Sequence, residues 1–401
     1  MAIHGLSLAI RLGFVLALVR FSSPVIVGLF GLATSVESVA VYLAGLEFHT
    51  FTARRLARRT SENRLRILMR AHRSVALMTV PLAGLLGVGA AMGMGLSSDP
   101  GALMALLAVL IFGALGQELS RYLVLARKPV HSVVLAFLRT AAWQPAALMV
   151  LSPDPRALRW MLVLWALASA VASAWGAWQL RHLLTCRVRP HRGYLLHGLY
   201  SARGYYAIAS LSVVQGNIER FVLQLLLGPA AVGVFYFFQT LANTVSSLVQ
   251  TSVVNVALPN LLTRFGQRTS DRHDYLSHLV KRSLLISFLV SVSVCIIVIP
   301  VTTLVSRQDY IANVWMLPAL LLGQMALSGT QPIHLALYAA HYDRPLIVMM
   351  TAAVVASVLL DGALVSLMGI SGAVLAAVLV ALGIAAARQA LRTKLSASDA
   401  L

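Results

Sequence analysis

Charged residues are scarce in this 401-residue chain. Asp, Glu, Lys and Arg together make up 11% of the sequence, whereas a typical soluble domain carries about 25%. Cysteine is almost absent, because the chain holds only Cys186 and Cys295, and these two form no disulfide framework. The low charge excludes an ordinary soluble domain, and the low cysteine content excludes one built on disulfides.

The sequence also lacks the motifs of several enzyme classes. It has no phosphate-binding loop, which argues against ATP hydrolysis by this chain, and no Gly-x-Ser-x-Gly nucleophile elbow. Its eleven histidines are scattered and do not have the spacing of metal ligands. We therefore expect no catalytic residue, no metal ion and no cofactor, and we expect that the chain is not an enzyme.

Long apolar runs are what the sequence has in abundance. Apolar residues make up 59% of the chain, and its mean hydropathy is +0.82. Runs of about 20 apolar residues are long enough to cross the ~30 Å hydrocarbon core of a bilayer. The sequence predicts an all-α integral membrane protein with about twelve transmembrane helices, at 4–20, 25–48, 74–95, 101–123, 130–152, 158–180, 203–227, 231–258, 283–305, 311–334, 344–366 and 370–390.

The basic residues predict the orientation of these spans. If both termini are cytoplasmic, 25 Lys and Arg residues lie at inner ends and only Arg20, Arg156, Arg159 and Arg307 at outer ends, as the positive-inside rule requires. We expect a multi-pass membrane protein with both termini in the cytoplasm. The net charge of +19 is then explained by loop arginines that face anionic lipid, and we expect no nucleic-acid partner.

The spans divide into two halves around the inner loop near the middle of the chain. The sequence predicts a six-helix lobe over 1–180, a cytoplasmic linker over 181–202, a second six-helix lobe over 203–390 and a cytoplasmic tail over 391–401. Because each half has six spans, both halves have the same orientation. We therefore expect a pseudo-twofold axis along the membrane normal.

A short repeat supports this duplication. The segment from Pro24 to Phe30, Pro-Val-Ile-Val-Gly-Leu-Phe, matches the segment from Pro229 to Phe235, Pro-Ala-Ala-Val-Gly-Val-Phe, at the proline, valine, glycine and phenylalanine. Each copy lies at the outer end of the second span of its half. A fixed offset of about half the chain is typical of internal repeats.

Five charged residues lie within predicted spans and away from the span ends: Arg11, Glu37, Arg139, Glu219 and Arg220. A charge inside the bilayer costs several kcal/mol unless it is paired or faces a wet cavity. Each of the five is therefore a candidate either for a cavity wall or for an interhelical lock, and the sequence leaves both open. Three other acids lie near span ends and are expected at the membrane interface: Glu47, Glu118 and Asp361.

Amide side chains form a second polar pattern. Gln239, Asn243 and Gln250 follow a helical stripe along the eighth span, and Gln324 lies in the tenth. Polar stripes within a membrane are either interhelical glue or the wall of a wet cavity. For the amides of the eighth span we favour a wet wall that faces the gap between the halves.

The seventh span carries the most specific pattern, in the order Asn217, Glu219, Arg220, Gly228, Gly233 and Phe235. In a chain of twelve spans in two halves, this order resembles the Wzx-type polysaccharide flippases of the multidrug/oligosaccharidyl-lipid/polysaccharide (MOP) exporter superfamily. Their corresponding run reads Asn-x-Asp-Arg, then Leu-Gly, then Val-Gly-Tyr. Here Glu219 replaces the aspartate and Phe235 replaces the tyrosine.

The resemblance implies a flippase of the bacterial inner membrane that moves an undecaprenyl-diphosphate-linked glycan to the outer leaflet by alternating access. Arginine suits the diphosphate, because its planar fork makes bidentate charged hydrogen bonds, and amides suit sugar hydroxyls. The expected substrate-binding residues are Arg11, Arg139, Arg220, Gln239, Asn243, Gln250 and Gln324. Glu37 or Glu219 could couple transport to protons or ions, since burial favours the neutral form of a carboxylic acid.

Other functions remain open from the sequence. A cation-coupled drug or metabolite antiporter of the same superfamily is the main alternative, and a peptidoglycan-precursor flippase would need two further spans. A polysaccharide polymerase or ligase would need a large outer loop, which this chain lacks. As partners we expect the lipid-linked glycan, membrane lipids and polysaccharide-assembly enzymes, and we expect the chain to act as a monomer.

Overall fold

The computed structural model describes residues 2–47, 49, 62–184, 192–266, 271–305, 307–340 and 342–399. These residues form two compact units, Met1–Val213 and Val214–Leu401. Helices account for nearly all of the described chain, and no strand occurs within those ranges. Most of the arginine-rich loop, at 50–61, and the middle of the predicted linker, at 185–191, lie outside the described residues.

The first unit consists of long helices joined by short turns. The fifth helix is followed by a turn and two short helical segments, Gln144–Ala147 and Leu148–Val150. The seventh helix begins in this unit, and its last two residues belong to the second unit. The helices are α1 (Ala2–Phe21), α2 (Pro24–Gly45), α3 (Glu62–Gly93), α4 (Pro100–Leu125), α5 (Pro129–Thr140), α6 (Arg156–Gln179) and α7 (Arg192–Gln215).

The second unit contains more interrupted helices than the first. A π-helical turn, Gln250–Val254, separates two of them. In chain order they are α8 (Ile218–Leu227), α9 (Pro229–Val249), α10 (Asn255–Gly266), α11 (Arg272–Val305), α12 (Met316–Gly329), α13 (Gln331–Ala339), α14 (Asp343–Met368) and α15 (Ile370–Asp399).

The two units repeat one pattern of helix packing. In the first unit α2 packs on both α3 and α4, and α3 also packs on α4. Helix α6 packs on α4 and α5, and α1 packs on α2 and α5. In the second unit α9 packs on both α11 and α12, and α11 also packs on α12. Helix α15 packs on α12 and α14, and α8 packs on α9 and α14. The helices α1 to α6 therefore have counterparts in the second unit with most of the same neighbours, as an internal duplication would produce. The main difference is that α4 also packs on α5.

The prolines of the sequence repeat begin equivalent helices. Pro24 is the first residue of α2 and Pro229 the first residue of α9, a position that suits proline because no backbone N–H is needed there. Ser23 caps α2, since its Oγ accepts a hydrogen bond from the Ile26 N–H at 3.4 Å. Gly228, with a φ of 81°, makes the turn before α9, and glycine adopts this conformation without strain.

Ten helices among the described residues are long and apolar enough to cross a membrane, and the all-α membrane architecture is confirmed. The other two predicted spans, 203–227 and 311–334, are each divided into two helices. The first is divided between α7 and α8, where the sequence is Gln-Gly-Asn. The second is divided at Thr330, just before Pro332, whose missing N–H cannot continue a helix.

Candidate functional site

The break between α7 and α8 places polar residues inside the second unit. Helix α7 ends at Gln215 and α8 begins at Ile218, and the Asn217 N–H donates to the Val214 carbonyl at 3.0 Å. Gly216 has no side chain to pack and favours irregular backbone over helix. The break turns Glu219 into a first-turn residue of α8, where the partial positive charge of a helix N-terminus favours an acid.

A polar cavity of about 180 Å³ lies beside this break, wholly within the second unit. Three of the amides predicted from the sequence meet there, from α9 and α12. The apolar part of the wall comes from α12 and α15. The lining residues are Gln215, Gly216, Glu219, Gln239, Asn243, Leu320, Gly323, Gln324, Leu327, Ala377, Val378 and Ala381.

Glu219 is the acid of this cavity. Its side chain lines the wall, and the residue is only 3% exposed. Within the described part of the chain, its Oε2 atom has no hydrogen-bond partner. A buried carboxylate oxygen without a partner is costly, so this atom is suited to hold a proton or to contact a cation.

Arg220 lies directly behind the cavity wall. Its Nε donates a hydrogen bond of 2.7 Å to Oε1 of Gln239, which itself lines the cavity. The guanidinium carbon lies 4.9 Å from the ring centroid of Tyr236, a cation–π contact that is stronger when desolvated. The residue is 7% exposed, so the arginine is held in place by α9.

Two further hydrogen bonds fix the α12 side of the cavity. Ser246 of α9 donates to Oε1 of Gln324 at 2.6 Å, and its Oγ lies 2.9 Å from that of Ser328. The amide of Gln324 is thereby oriented before any ligand arrives. Oriented amides and hydroxyls can accept or donate to sugar hydroxyls and can also coordinate a cation.

Asp361 is a buried acid near the cavity that the sequence does not single out as a site residue. It is 1% exposed and lies on α14, which packs against α8, the helix of Glu219. Within the described residues its Oδ1 has no hydrogen-bond partner. The available signal was its position, seven residues inside the end of a long apolar run.

Arg388 is a second buried charge that the sequence indicates only as one of the basic residues at the inner end of the last span. It is 7% exposed. Its Nη1 donates to the Leu327 carbonyl at 3.0 Å and to Oγ1 of Thr330 at 3.2 Å. The arginine therefore binds one backbone carbonyl and one hydroxyl at the break between α12 and α13, and Leu327 itself lines the cavity.

In the first unit, Arg139 is paired with Glu37. Its Nη1 donates to Oε1 of Glu37 at 2.8 Å, and its Nη2 donates to Oε1 of Gln117 at 2.9 Å. Gly113 and Gly116 of α4 make room for this pair, since a Cβ at Gly113 would lie 3.2 Å from Oε1 of Glu37. The pairing across α2, α4 and α5 is the geometry of an interhelical lock.

The remaining predicted site residues do not line the cavity. Arg11 on α1 is exposed. Gln250 is exposed in the π-helical turn, and its amide donates to Oδ1 of Asn255 at 3.0 Å. Their roles in substrate binding stay predictions, as does the expectation that the amides of α9 face the gap between the halves.

The Glu37–Arg139 pair makes a testable prediction about stability. Glu37→Gln should leave Arg139 buried without its counter-charge and should cost about 3–5 kcal/mol, seen as lower membrane abundance and a lower melting temperature. Adding Arg139→Met should restore much of this loss, because replacing both partners of a buried pair is often neutral. Thermal unfolding of the purified variants measures both effects.

A matched control is available in the same unit. Asp99→Asn removes the partner of Arg159, which lies 3.7 Å away and is 49% exposed, so it should change stability by less than about 1 kcal/mol. If Glu37→Gln kept full abundance and melting temperature but lost transport, the lock would be refuted and Glu37 would belong to a substrate or ion path.

Sequence comparisons identify no relative of this chain. A scan against protein-family models finds no match. A search of curated proteins finds no match either.

Solved structures share the fold. An inward-facing multidrug resistance MATE family transporter of the MOP superfamily superposes with a TM-score of 0.73 at 15% identity, over 97% of this chain and 94% of that one. The lipid II flippase MurJ, in an inward closed conformation, gives a TM-score of 0.68 at 12% identity, over 96% of this chain and 86% of that one. An outward-facing MATE transporter of the MOP superfamily gives 0.62 at 14% identity, over 96% of this chain and 98% of that one. The chain thus has the fold of these MOP-superfamily transporters.

Proposed function

We propose that this chain is a membrane transporter that moves a polyprenyl-diphosphate-linked oligosaccharide from the inner to the outer leaflet by alternating access. The observation that carries the proposal is the pairing of Arg220 with Gln239 at the wall of a polar cavity. The shared fold supports a transporter, because its neighbours are described as a lipid flippase and as multidrug transporters.

Arg220 is the proposed anchor for the diphosphate. Its bond to Gln239 is a hydrogen bond to a neutral amide, and a phosphate oxygen would replace it with a stronger bond between opposite charges. The released Gln239 amide, with Asn243 and Gln324, would then face the sugar hydroxyls. A cavity of about 180 Å³ is smaller than a typical ligand pocket of roughly 300–1,000 Å³, so the cavity must widen when substrate enters.

Glu219 and Asp361 are the proposed coupling site. Both acids are buried in the second unit, on helices α8 and α14, which pack together. Two nearby carboxylates in a medium of low dielectric constant do not both stay charged without a proton or a cation. We prefer Glu219 over Glu37 for this role, because Glu37 already pairs with Arg139. Binding and release of the proton or cation would drive the alternation.

A cation-coupled antiporter for small molecules is the second candidate function. The specific observation in its favour is the same acid pair beside a small cavity, since an acidic site attracts a cation as readily as it accepts a proton. The two candidates differ at Arg220, because a buried positive charge at the cavity wall repels a cationic drug and attracts a phosphate.

Location and assembly belong to the same proposal. The arginine distribution favours the inner membrane of a bacterium with both termini in the cytoplasm. A monomer is the proposed working state, and enzymes of polysaccharide assembly are the proposed functional partners, since they would supply the lipid-linked substrate and consume it after translocation.

Reconstitution into vesicles tests the proposed function. A polyprenyl-diphosphate disaccharide with a fluorescent sugar label is incorporated, and an impermeant reductant bleaches only the outer leaflet. The purified chain should raise the bleached fraction well above the half seen without protein. Loss of a cationic dye from loaded vesicles, without movement of the labelled lipid, would contradict the flippase and favour the antiporter.

A further inference from the structure

A long apolar groove runs between α14 and α15 in the second unit, with a volume of about 640 Å³. Small residues on both helices create it, because they leave space between two backbones that otherwise pack closely. They are Ala352, Ala353, Ala356, Gly383, Ala387 and Ala390. The groove shares no lining residue with the polar cavity, which uses other residues of the same stretch of α15.

The described part of the chain leaves this groove open. Val348 and Leu379, on its two sides, are 68% and 44% exposed, and a Cβ added at Gly383 would meet no atom within 4 Å. Both helices are long and apolar enough to cross the membrane. An open apolar groove along such helices is filled by hydrocarbon when the protein is in a bilayer.

The length of the groove matches one lipid chain from one leaflet. Its lining extends over Pro345–Leu360 on α14 and Leu379–Lys394 on α15, about 22 Å on each helix at 1.5 Å per residue. One leaflet contributes about half of the ~30 Å hydrocarbon core, so the groove accommodates one acyl chain and reaches the phosphate level. A polyprenyl chain is much longer than this.

One end of the groove is basic. Of the residues that line the groove, Lys394 carries a charge. Arg344, which is exposed, precedes the lining residue Pro345 at the same end of the groove. The distribution of arginines predicts that this end is cytoplasmic. Basic residues at the mouth of a cleft between spans attract lipid phosphate groups.

We propose that this groove is a binding site for one anionic phospholipid of the cytoplasmic leaflet, with an acyl chain between α14 and α15 and its phosphate at Lys394. The bound chain completes the packing of the two helices where their own side chains are small. The site is independent of the substrate cavity and of the proposed function.

Lipid retention tests the proposal. The full chain is reconstituted in vesicles of equal phosphatidylglycerol and phosphatidylcholine, extracted with mild detergent, and analysed by native mass spectrometry. The wild-type protein should retain one phosphatidylglycerol in preference to phosphatidylcholine. Lys394→Gln should reduce this preference about fivefold, the value of one lysine near a lipid surface, while Lys281→Gln, at an exposed lysine outside the groove, should not.

Filling the groove gives a second, independent measurement. Gly383→Leu should abolish the retained lipid, because the new side chain occupies the open space. Gly362→Leu is the matched control, since Gly362 also has no atom within 4 Å of an added Cβ but does not line the groove. Retention by Gly383→Leu at the wild-type level would overturn the proposal. So would a preference for polyprenyl phosphate over phosphatidylglycerol, or a stable dimer that covers the groove.

Discussion

Arg220→Ala should abolish translocation of a diphosphate-linked glycan while the protein stays folded in the membrane. The charged hydrogen bonds that a guanidinium makes to phosphate are worth about 1.5–3 kcal/mol, so the loss should be on the order of 100-fold. The substitution should not prevent folding, because Gln239 lines the cavity and water in the cavity can donate to Gln239 in place of Arg220. Vesicle translocation and membrane abundance, measured on the same preparation, separate these two effects.

Two further variants make this result specific. Arg220→Lys should keep part of the activity, because the charge survives while the bidentate fork is lost. Arg203→Ala is the control, since Arg203 also stacks over a tyrosine, Tyr200, at 3.8 Å, but is exposed and does not line the cavity. Normal abundance with full transport in Arg220→Ala would end the diphosphate role, and low abundance restored by a second substitution would assign Arg220 to packing.

The sequence predicted the helical membrane architecture because hydropathy depends on length and composition alone. Runs of about 20 apolar residues are visible without any knowledge of tertiary contacts. Pro24 and Pro229 could be placed at helix starts because proline has a strong local preference there. The interruptions within two of the spans could not be predicted, because they depend on tertiary contacts. Polar Gln215, Gly216 and Asn217 are compatible with a continuous helix until packing favours the break.

The roles of the embedded charges depended on information that the sequence does not contain. Distance along the chain predicts depth in the membrane, but pairing depends on which face of each helix meets its neighbour. Glu37 and Arg139 are 102 residues apart and lie 2.8 Å apart in the fold. Asp361 illustrates the same limit, because its depth along the chain does not indicate that the packing of α14 against α8 buries it.

The largest expected effect on coupling comes from Glu219. Its carboxyl group lines the polar cavity, and within the described residues its Oε2 has no hydrogen-bond partner. Glutamine has nearly the same shape, so Glu219→Gln removes the titratable group without leaving a cavity in the packing. Because the substitution also removes a buried charge, we expect no loss of stability.

Glu219→Gln should therefore fold and insert normally, yet transport should no longer respond to a proton or sodium gradient. Asp361→Asn should weaken the same response, because Asp361 is a buried acid on α14, which packs against α8, the helix of Glu219. Asp309→Asn, at an exposed acid outside the cavity, should leave it unchanged. The measurement is the initial rate of translocation in vesicles with and without each imposed gradient. Gradient-driven transport at the wild-type rate in Glu219→Gln would refute the coupling role, because no other change to the cavity wall separates the two proteins.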